Sequence, residues 1–260
     1  MWLQAIAIFA SCKWKSWWEQ RDALASQDWR RSMAYLFLWP GMNPATFCNT
    51  ACEPIRPSRS EWANAAGRTA LGGGLLWLGV RTVPGTHPMI AGWVGMIGLI
   101  LLLHFGTFHL LELAWRRAGV CAEPIMRQPL RSPSLGEFWG KRWNLGFRQL
   151  SYSFVFKPLQ RRVGAVAATL AAFLASGLIH DFVISFPAGG GYGLPTGYFL
   201  LQGIGVAAER SSAGKRAGLG EGIAGWMWMA LFTAGPVFLL FHARFVMQVI
   251  LPFLHAIGAC

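Results

Sequence analysis

The chain has 260 residues, 54% of them hydrophobic and only 13% charged, with 14 Trp and 31 Gly. That balance excludes a disordered chain or an ordinary soluble domain and points to a polytopic membrane protein, where Trp favours interfaces and Gly favours helix contacts. The excess of 23 Lys and Arg over 11 Asp and Glu, a net charge of +12, reads as cytoplasmic loops under the positive-inside rule and leaves nucleic acid a poor second explanation.

In chain order, the opening MWLQAIAIFASCKWK is apolar and then basic. A signal peptide has the reverse order, so a short retained anchor is expected. Residues 33–48, with Pro40 and Pro44, are too broken to span and suit an interfacial or re-entrant segment. Residues 69–80 form a weak span, the uncharged TVPGTHP a turn, and residues 88–111 a strong span. Residues 116–162 then carry ten Lys or Arg (116, 117, 127, 131, 141, 142, 148, 157, 161, 162) against Glu123 and Glu137, which places them in the cytoplasm. Residues 163–186 are a span, and the uncharged 187–197 belong on the far side. The apolar 198–208 return the chain to Arg210, Lys215 and Arg216. Residues 222–241 are a strong span kinked at Pro236, and 245–257 a short terminal one. The expected architecture is an all-α, multi-pass transmembrane bundle of about five to seven spans plus an interfacial helix, as one domain over 1–260.

The span at 163–186, VGAVAATLAAFLASGLIHDFVISF, holds an ionisable pair, His180-Asp181. Charge at such depth is costly and normally faces protein or a water-filled cavity. Gly164, Ala168, Ala172 and Ser176 recur every fourth residue, and His180 is the next position on that ridge. A ridge of small residues admits a neighbouring helix, so His180 should face packed protein.

Within the basic segment, Ser134-Leu135-Gly136-Glu137 matches a capping box directly after Pro133. It should open a helix with Trp139, Trp143 and Phe147 on one face and Lys141, Arg142 and Arg148 away from it, lying in the membrane interface. Asn144 falls one residue off that stripe. The five Cys (12, 48, 52, 121, 260) form no CxxC pair. Cys48 and Cys52 stand four apart, and the thiols are expected to serve packing rather than metal or disulfide.

The run PSLGEFWGKRWNLGFRQ (133–149), followed 36 residues after Asn144 by the His of ASGLIHD (175–181), resembles the wax synthase branch of the membrane-bound O-acyltransferases. In that family an FWxRxWN-type motif precedes a buried histidine in an SGxxH motif. The close resemblance covers about residues 124–209. It implies that Asn144 and His180 are the functional positions, with Phe138, Trp139, Arg142 and Trp143 as motif framework. It implies acyl-CoA as co-substrate, with no cofactor bound and no metal. Asp181 stands where Glu or a non-acidic residue is more usual, so no family role passes to it, and the chain is shorter than typical members.

The residues suit that chemistry. Ester formation from an acyl thioester needs a base to take the alcohol proton, and an imidazole suits neutral pH. An Asn amide donor can hold the thioester carbonyl or the developing oxyanion. The positive excess of 116–162 would attract the phosphates of CoA, with Lys141, Arg142 and Trp143 as the expected contacts. The expectation is therefore an acyl-CoA-dependent O-acyltransferase in the bilayer, its acceptor a hydrophobic, long-chain alcohol and its product a wax ester. It would sit in the inner membrane of a bacterium or the endoplasmic reticulum of a eukaryote. Acetyl transfer to a terpenoid, sterol or saccharide hydroxyl is the alternative among enzymes. A transporter or assembly subunit using His180 structurally or for proton coupling is the alternative of another class. His104 and His109, five apart, do not share a helix face as a haem pair would, and Ser176-Gly177 lacks the second Gly of GxSxG.

Overall fold

The computed structural model describes residues 2–24 and 28–260, and every regular element among them is helical. Three of these helices are long and apolar enough to cross a membrane: Pro88–Arg117, Leu145–Ala188 and Gly222–Leu240. They coincide with the three strongest expected spans. The weaker ones are not among these three. Residues 198–208 lie inside Leu194–Arg210, whose 17 residues rise only about 26 Å against a core of about 30 Å. Residues 33–48 are divided between Trp29–Leu38 and Pro44–Cys48, with Asn43 capping the second. Residues 69–80 continue Arg59–Gly74 through a wide turn at Leu75–Gly79 into a tight one at Val80–Thr82.

The chain divides into two compact units. The first is built on Ala5–Met126 with Ile250–Cys260. Its core gathers Tyr35, Trp39, Phe47 and Cys48, with Trp115 packed against them. Aromatic rings dominate here: Phe47 lies 5.8 Å from Trp39 and 5.2 Å from Trp115. Arg59–Gly74 opens with a full capping box, Ser58 accepting from the Glu61 N–H and Glu61 accepting from the Ser58 N–H. Arg116 then ties Glu61 (2.8 Å) to Glu112 (3.2 Å).

One expectation about cysteines is corrected in this unit. Cys52 and Cys121 form a disulfide with a Cα separation of 6.2 Å. The pairing joins two loop residues 69 positions apart, a proximity that spacing along the chain does not reveal. Cys48, the helical neighbour four residues away, stays a buried free thiol.

The second unit is built on Arg127–Val249. Its longest element is Leu145–Ala188, the histidine helix, which bends sharply at Gly164, where φ is 80° and ψ 168°. A side chain is strained in that conformation, and glycine is not. The small-residue ridge therefore starts above the bend, at the fully buried Ala168. It approaches a neighbour closely at Gly177, where a Cβ would stand 2.6 Å from the Thr196 Cα. That contact brings Leu194–Arg210 flush against the histidine helix, as small residues do within membrane bundles. Gly222–Leu240 breaks at Gly235-Pro236, as its proline leads one to expect.

Candidate active site

His180 ends an α-helical run, and the next five residues, Asp181–Ser185, form a single π-helical turn. Such turns often mark functional positions in otherwise regular helices. The His180 Nδ1 lies 2.7 Å from the Ser176 carbonyl oxygen. A carbonyl only accepts, so Nδ1 carries the proton and Nε2 holds the lone pair. That is the tautomer a general base at Nε2 requires. The ring itself is held by aromatic neighbours: Phe199 with centroids 4.3 Å away, and Phe147 edge-on at 6.3 Å.

The motif segment is not one continuous helix. Leu135–Glu137 runs into a π-helical turn at Phe138–Arg142, and the chain then breaks at Trp143 and Asn144. Asn144 adopts left-handed angles, φ 40° and ψ 64°, and starts a new helix by accepting from the Phe147 N–H at 3.2 Å. Asn tolerates this conformation better than most side chains, and it is a favoured N-cap. The expected stripe of Trp139, Trp143 and Phe147, spaced four apart, is thereby interrupted, since Trp139 and Phe147 lie on opposite sides of the break. The capping box is also only half made. Ser134 accepts from the Glu137 N–H at 3.0 Å, whereas the Glu137 carboxylate is taken by Arg142.

Asn144 is thus directed by its own helix cap. With Oδ1 on the Phe147 N–H, the Nδ2 donor occupies the other branch of the amide. Phe147, fixed in the first turn of the capped helix, reaches His180. The motif's Trp139 reaches the same place by another route, its ring 5.7 Å from Phe199. Two limbs of the motif therefore converge on the aromatic surround of His180.

The three residues expected to contact the acyl donor occupy different settings. Lys141 is exposed. Arg142 is engaged within the segment: it bonds Glu137 Oε1 through Nε at 2.7 Å and reaches the Arg127 and Gln128 carbonyls at 3.3 and 3.4 Å. Trp143 stacks on Phe138 at 5.4 Å, beside a core of Leu135, Phe138, Val206 and Met229.

Sequence reasoning missed the residues that hold the motif in place. Glu209 accepts from the Leu135 N–H at 2.7 Å and the Gly136 N–H at 3.2 Å, capping the motif helix from another element. Gln202, fully buried, accepts from Trp139 Nε1 at 3.2 Å and donates to the Phe232 carbonyl at 2.6 Å. The signal was there: Gln202 stands alone in the apolar run from Phe199 to Ala208, and Glu209 is the one acid of the helix.

Residues 122–201, which contain every part of this arrangement from the motif to Phe199, match the model described as the Membrane bound O-acyl transferase family. This segment is similar to membrane-bound O-acyltransferases, and the relatives that share it carry wax-synthase-type names. The Probable long-chain-alcohol O-fatty-acyltransferase 7 of Arabidopsis thaliana is 32% identical over 139 residues, 46% of this chain and 40% of that protein. Its paralogue numbered 3 is 30% identical over 132 residues, 42% of this chain and 38% of that protein. The Long-chain-alcohol O-fatty-acyltransferase of Simmondsia chinensis is 31% identical over 100 residues, 35% of this chain and 28% of that protein. The matched segment thus corresponds to about two fifths or less of the length of these relatives.

Proposed function

We propose that the chain is a multi-pass membrane enzyme that transfers a fatty acyl group from acyl-CoA to the hydroxyl of a long-chain alcohol, giving a wax ester and free CoA. The observation that carries this reading is the hydrogen bond that orients the His180 ring. Its Nδ1–H is bound to the Ser176 carbonyl, so Nε2 is the lone-pair nitrogen, inside the segment that matches the acyltransferase family.

In the proposed reaction Nε2 removes the alcohol proton as the oxygen attacks the thioester carbonyl carbon. The C–O bond forms, and the carbonyl electron pair moves onto oxygen. The Asn144 Nδ2–H donates to that oxyanion, a contribution on the scale of about 3–4 kcal/mol for one well-placed donor. Collapse of the tetrahedral species breaks the C–S bond, and the imidazolium returns its proton to the departing thiolate. Of the expected donor contacts, exposed Lys141 suits the CoA phosphates, whereas Arg142 and Trp143 brace the motif.

The acceptor preference follows from the surroundings of His180, which are Phe147, Phe199 and the apolar face of its own helix. Leaving a sugar hydroxyl unpaired there costs about 1–3 kcal/mol, whereas an alkyl methylene gains roughly 0.8 kcal/mol on leaving water. The names of the relatives, which act on long-chain alcohols, support the same acceptor. The test is thiol release from palmitoyl-CoA and acetyl-CoA over butanol to dodecanol and glucose. Release should require the alcohol, rise with its chain length and stay near background with glucose. A preference for glucose rejects the wax-type acceptor, and release without any acceptor rejects transfer.

A further inference from the structure

We infer that Asp181 is a positioning residue, whose carboxylate docks the N-terminus of Leu194–Arg210 onto the histidine helix and so sets Phe199 against the His180 ring. The inference rests on the acyl-transfer reading for its kinetic consequence, but not for its geometry.

A helix begins with N–H groups that have no partner within it. In Leu194–Arg210 the N-cap position is Gly193, which has no side chain to satisfy them. Asp181 supplies what the glycine lacks. Its Oδ1 accepts from the Gly193 N–H at 2.9 Å and from the Ser185 hydroxyl at 2.9 Å. Its Oδ2 accepts from the Thr196 N–H at 3.1 Å and from the Thr196 hydroxyl. Four donors on two oxygens suit a carboxylate, whose oxygens only accept, and a negative group at this terminus also complements the helix dipole. None of these bonds goes to His180; what they hold in place is the neighbouring helix.

The register makes that action specific. Thr196 is the residue that the histidine helix meets at Gly177, three positions before His180. Phe199 lies three residues after Thr196, on the same face of its helix, and is the ring closest to the imidazole, at 4.3 Å. Rotating or withdrawing the first turn of Leu194–Arg210 therefore moves Phe199. The far end of the same helix carries Glu209, which caps the motif helix at Leu135 and Gly136. One rigid element thus references His180 at one end and the motif at the other. Ser185 also stands 3.3 Å from His242 Nε2, but this is no hydrolase triad. His242 Nδ1 accepts from the Phe245 N–H, so Nε2 carries a proton and cannot take one from serine.

Asp181→Asn is the decisive variant. Each carboxylate oxygen faces a backbone N–H, so an amide must turn its NH2 against one of them. Hydrogen exchange of the Gly193 and Thr196 amides should quicken by about 10-fold or more, the scale of one buried donor left unpaired. Turnover should fall by about 10-fold or more, while the KM for acyl-CoA stays within about 2-fold. Thr196→Val removes only the hydroxyl contact, should give a smaller change in the same direction, and carries the test if Asp181→Asn does not insert. Faster exchange with unchanged turnover, or unchanged exchange, overturns the proposal. If the wild type itself releases no thiol with any alcohol, the acyl-transfer reading falls separately. The carbethoxylation rate of His180 by diethyl pyrocarbonate then decides the positioning role. It should differ several-fold in Asp181→Asn, and equal rates contradict the proposal.

Discussion

The two units of this molecule use polar groups in different ways. In the Ala5–Met126 unit, Arg116 joins Glu61 and Glu112 in an ion-pair cluster, and the Cys52–Cys121 disulfide joins two loops. In the Arg127–Val249 unit, Asp181, Glu209 and Gln202 spend their polar atoms chiefly on backbone N–H and carbonyl groups of neighbouring helices. The first pattern stabilises a fold without fixing any one side chain. The second fixes the rotation and depth of particular helices, which is what the proposed site at His180 and Asn144 requires. Perturbing the first unit should therefore register in stability, and perturbing the second in turnover.

The largest expected effect is at Asn144. Asn144→Asp keeps an oxygen for the Phe147 N–H and so preserves the helix cap, but it removes the amide donor and brings negative charge toward the oxyanion. Turnover should fall by about 10²–10³-fold, with the melting temperature close to wild type. A loss of stability with turnover per folded molecule unchanged would make Asn144 a cap and nothing more.

Next comes the disulfide. Cys52→Ser or Cys121→Ser should destabilise the chain by about 2–4 kcal/mol under oxidising conditions. Reductant should do the same to the wild type and have no further effect on the variants. Hydrogen exchange should quicken in Ala5–Met126 and stay near wild type around His180. The same bond bears on orientation. Disulfides persist in oxidising compartments, whereas Cys121 lies in the basic stretch 116–162 that the positive-inside rule assigns to the cytoplasm. Leu130, 77% exposed, and Tyr192, 64% exposed, are suitable labelling sites. With Leu130→Cys and Tyr192→Cys placed in a chain without Cys52 and Cys121, an impermeant thiol reagent on sealed cells should label the second and spare the first. The opposite pattern reverses the assignment and puts the basic segment on the disulfide-permissive side.

Smaller effects separate the motif's cations. Lys141→Glu should raise the KM for acyl-CoA by a few-fold, more at low salt than at high, because screening weakens an exposed charge. Arg142→Ala should leave that KM unchanged and lower stability, because its guanidinium braces Glu137 and two carbonyls. Reversal of the two results would make Arg142 the phosphate contact.

The smallest effect is a pH dependence. The Ser58 N–H and the Arg116 guanidinium hold the Glu61 carboxyl down to about 2. Because its folded value lies below the unfolded one, its contribution is fully present above the ordinary glutamate range and is lost as pH falls toward 2. The gap in melting temperature between wild type and Glu61→Gln should shrink between pH 5 and pH 2. A gap independent of pH would mean that the bond, and not the charge, matters.

The three strongest spans and the family resemblance were legible because their signals are local. Twenty-odd apolar residues announce a span, and FWGKRWN with SGLIH downstream announces the resemblance. The break at Trp143-Asn144 was not legible: a continuous helical stripe fits the same letters until Asn144 turns left-handed to cap the helix from Leu145. Neither was the disulfide, nor the caps that Asp181 and Glu209 provide for other elements. Each depends on residues brought together from 12 to 74 positions apart. Leu194–Arg210, an apolar stretch that reads as a span in sequence, is a 17-residue helix packed on the histidine helix at Gly177.

The central claim is that His180 Nε2 is the base of an acyl transfer, and His180→Gln tests it most directly. Glutamine retains hydrogen bonding in the bundle but cannot take a proton from an alcohol. With palmitoyl-CoA and dodecanol, wild type should release CoA thiol and form the ester, while His180→Gln, inserted at wild-type levels, should release none above background. Wild-type rates from His180→Gln would contradict the account and leave His180 as a helix–helix contact.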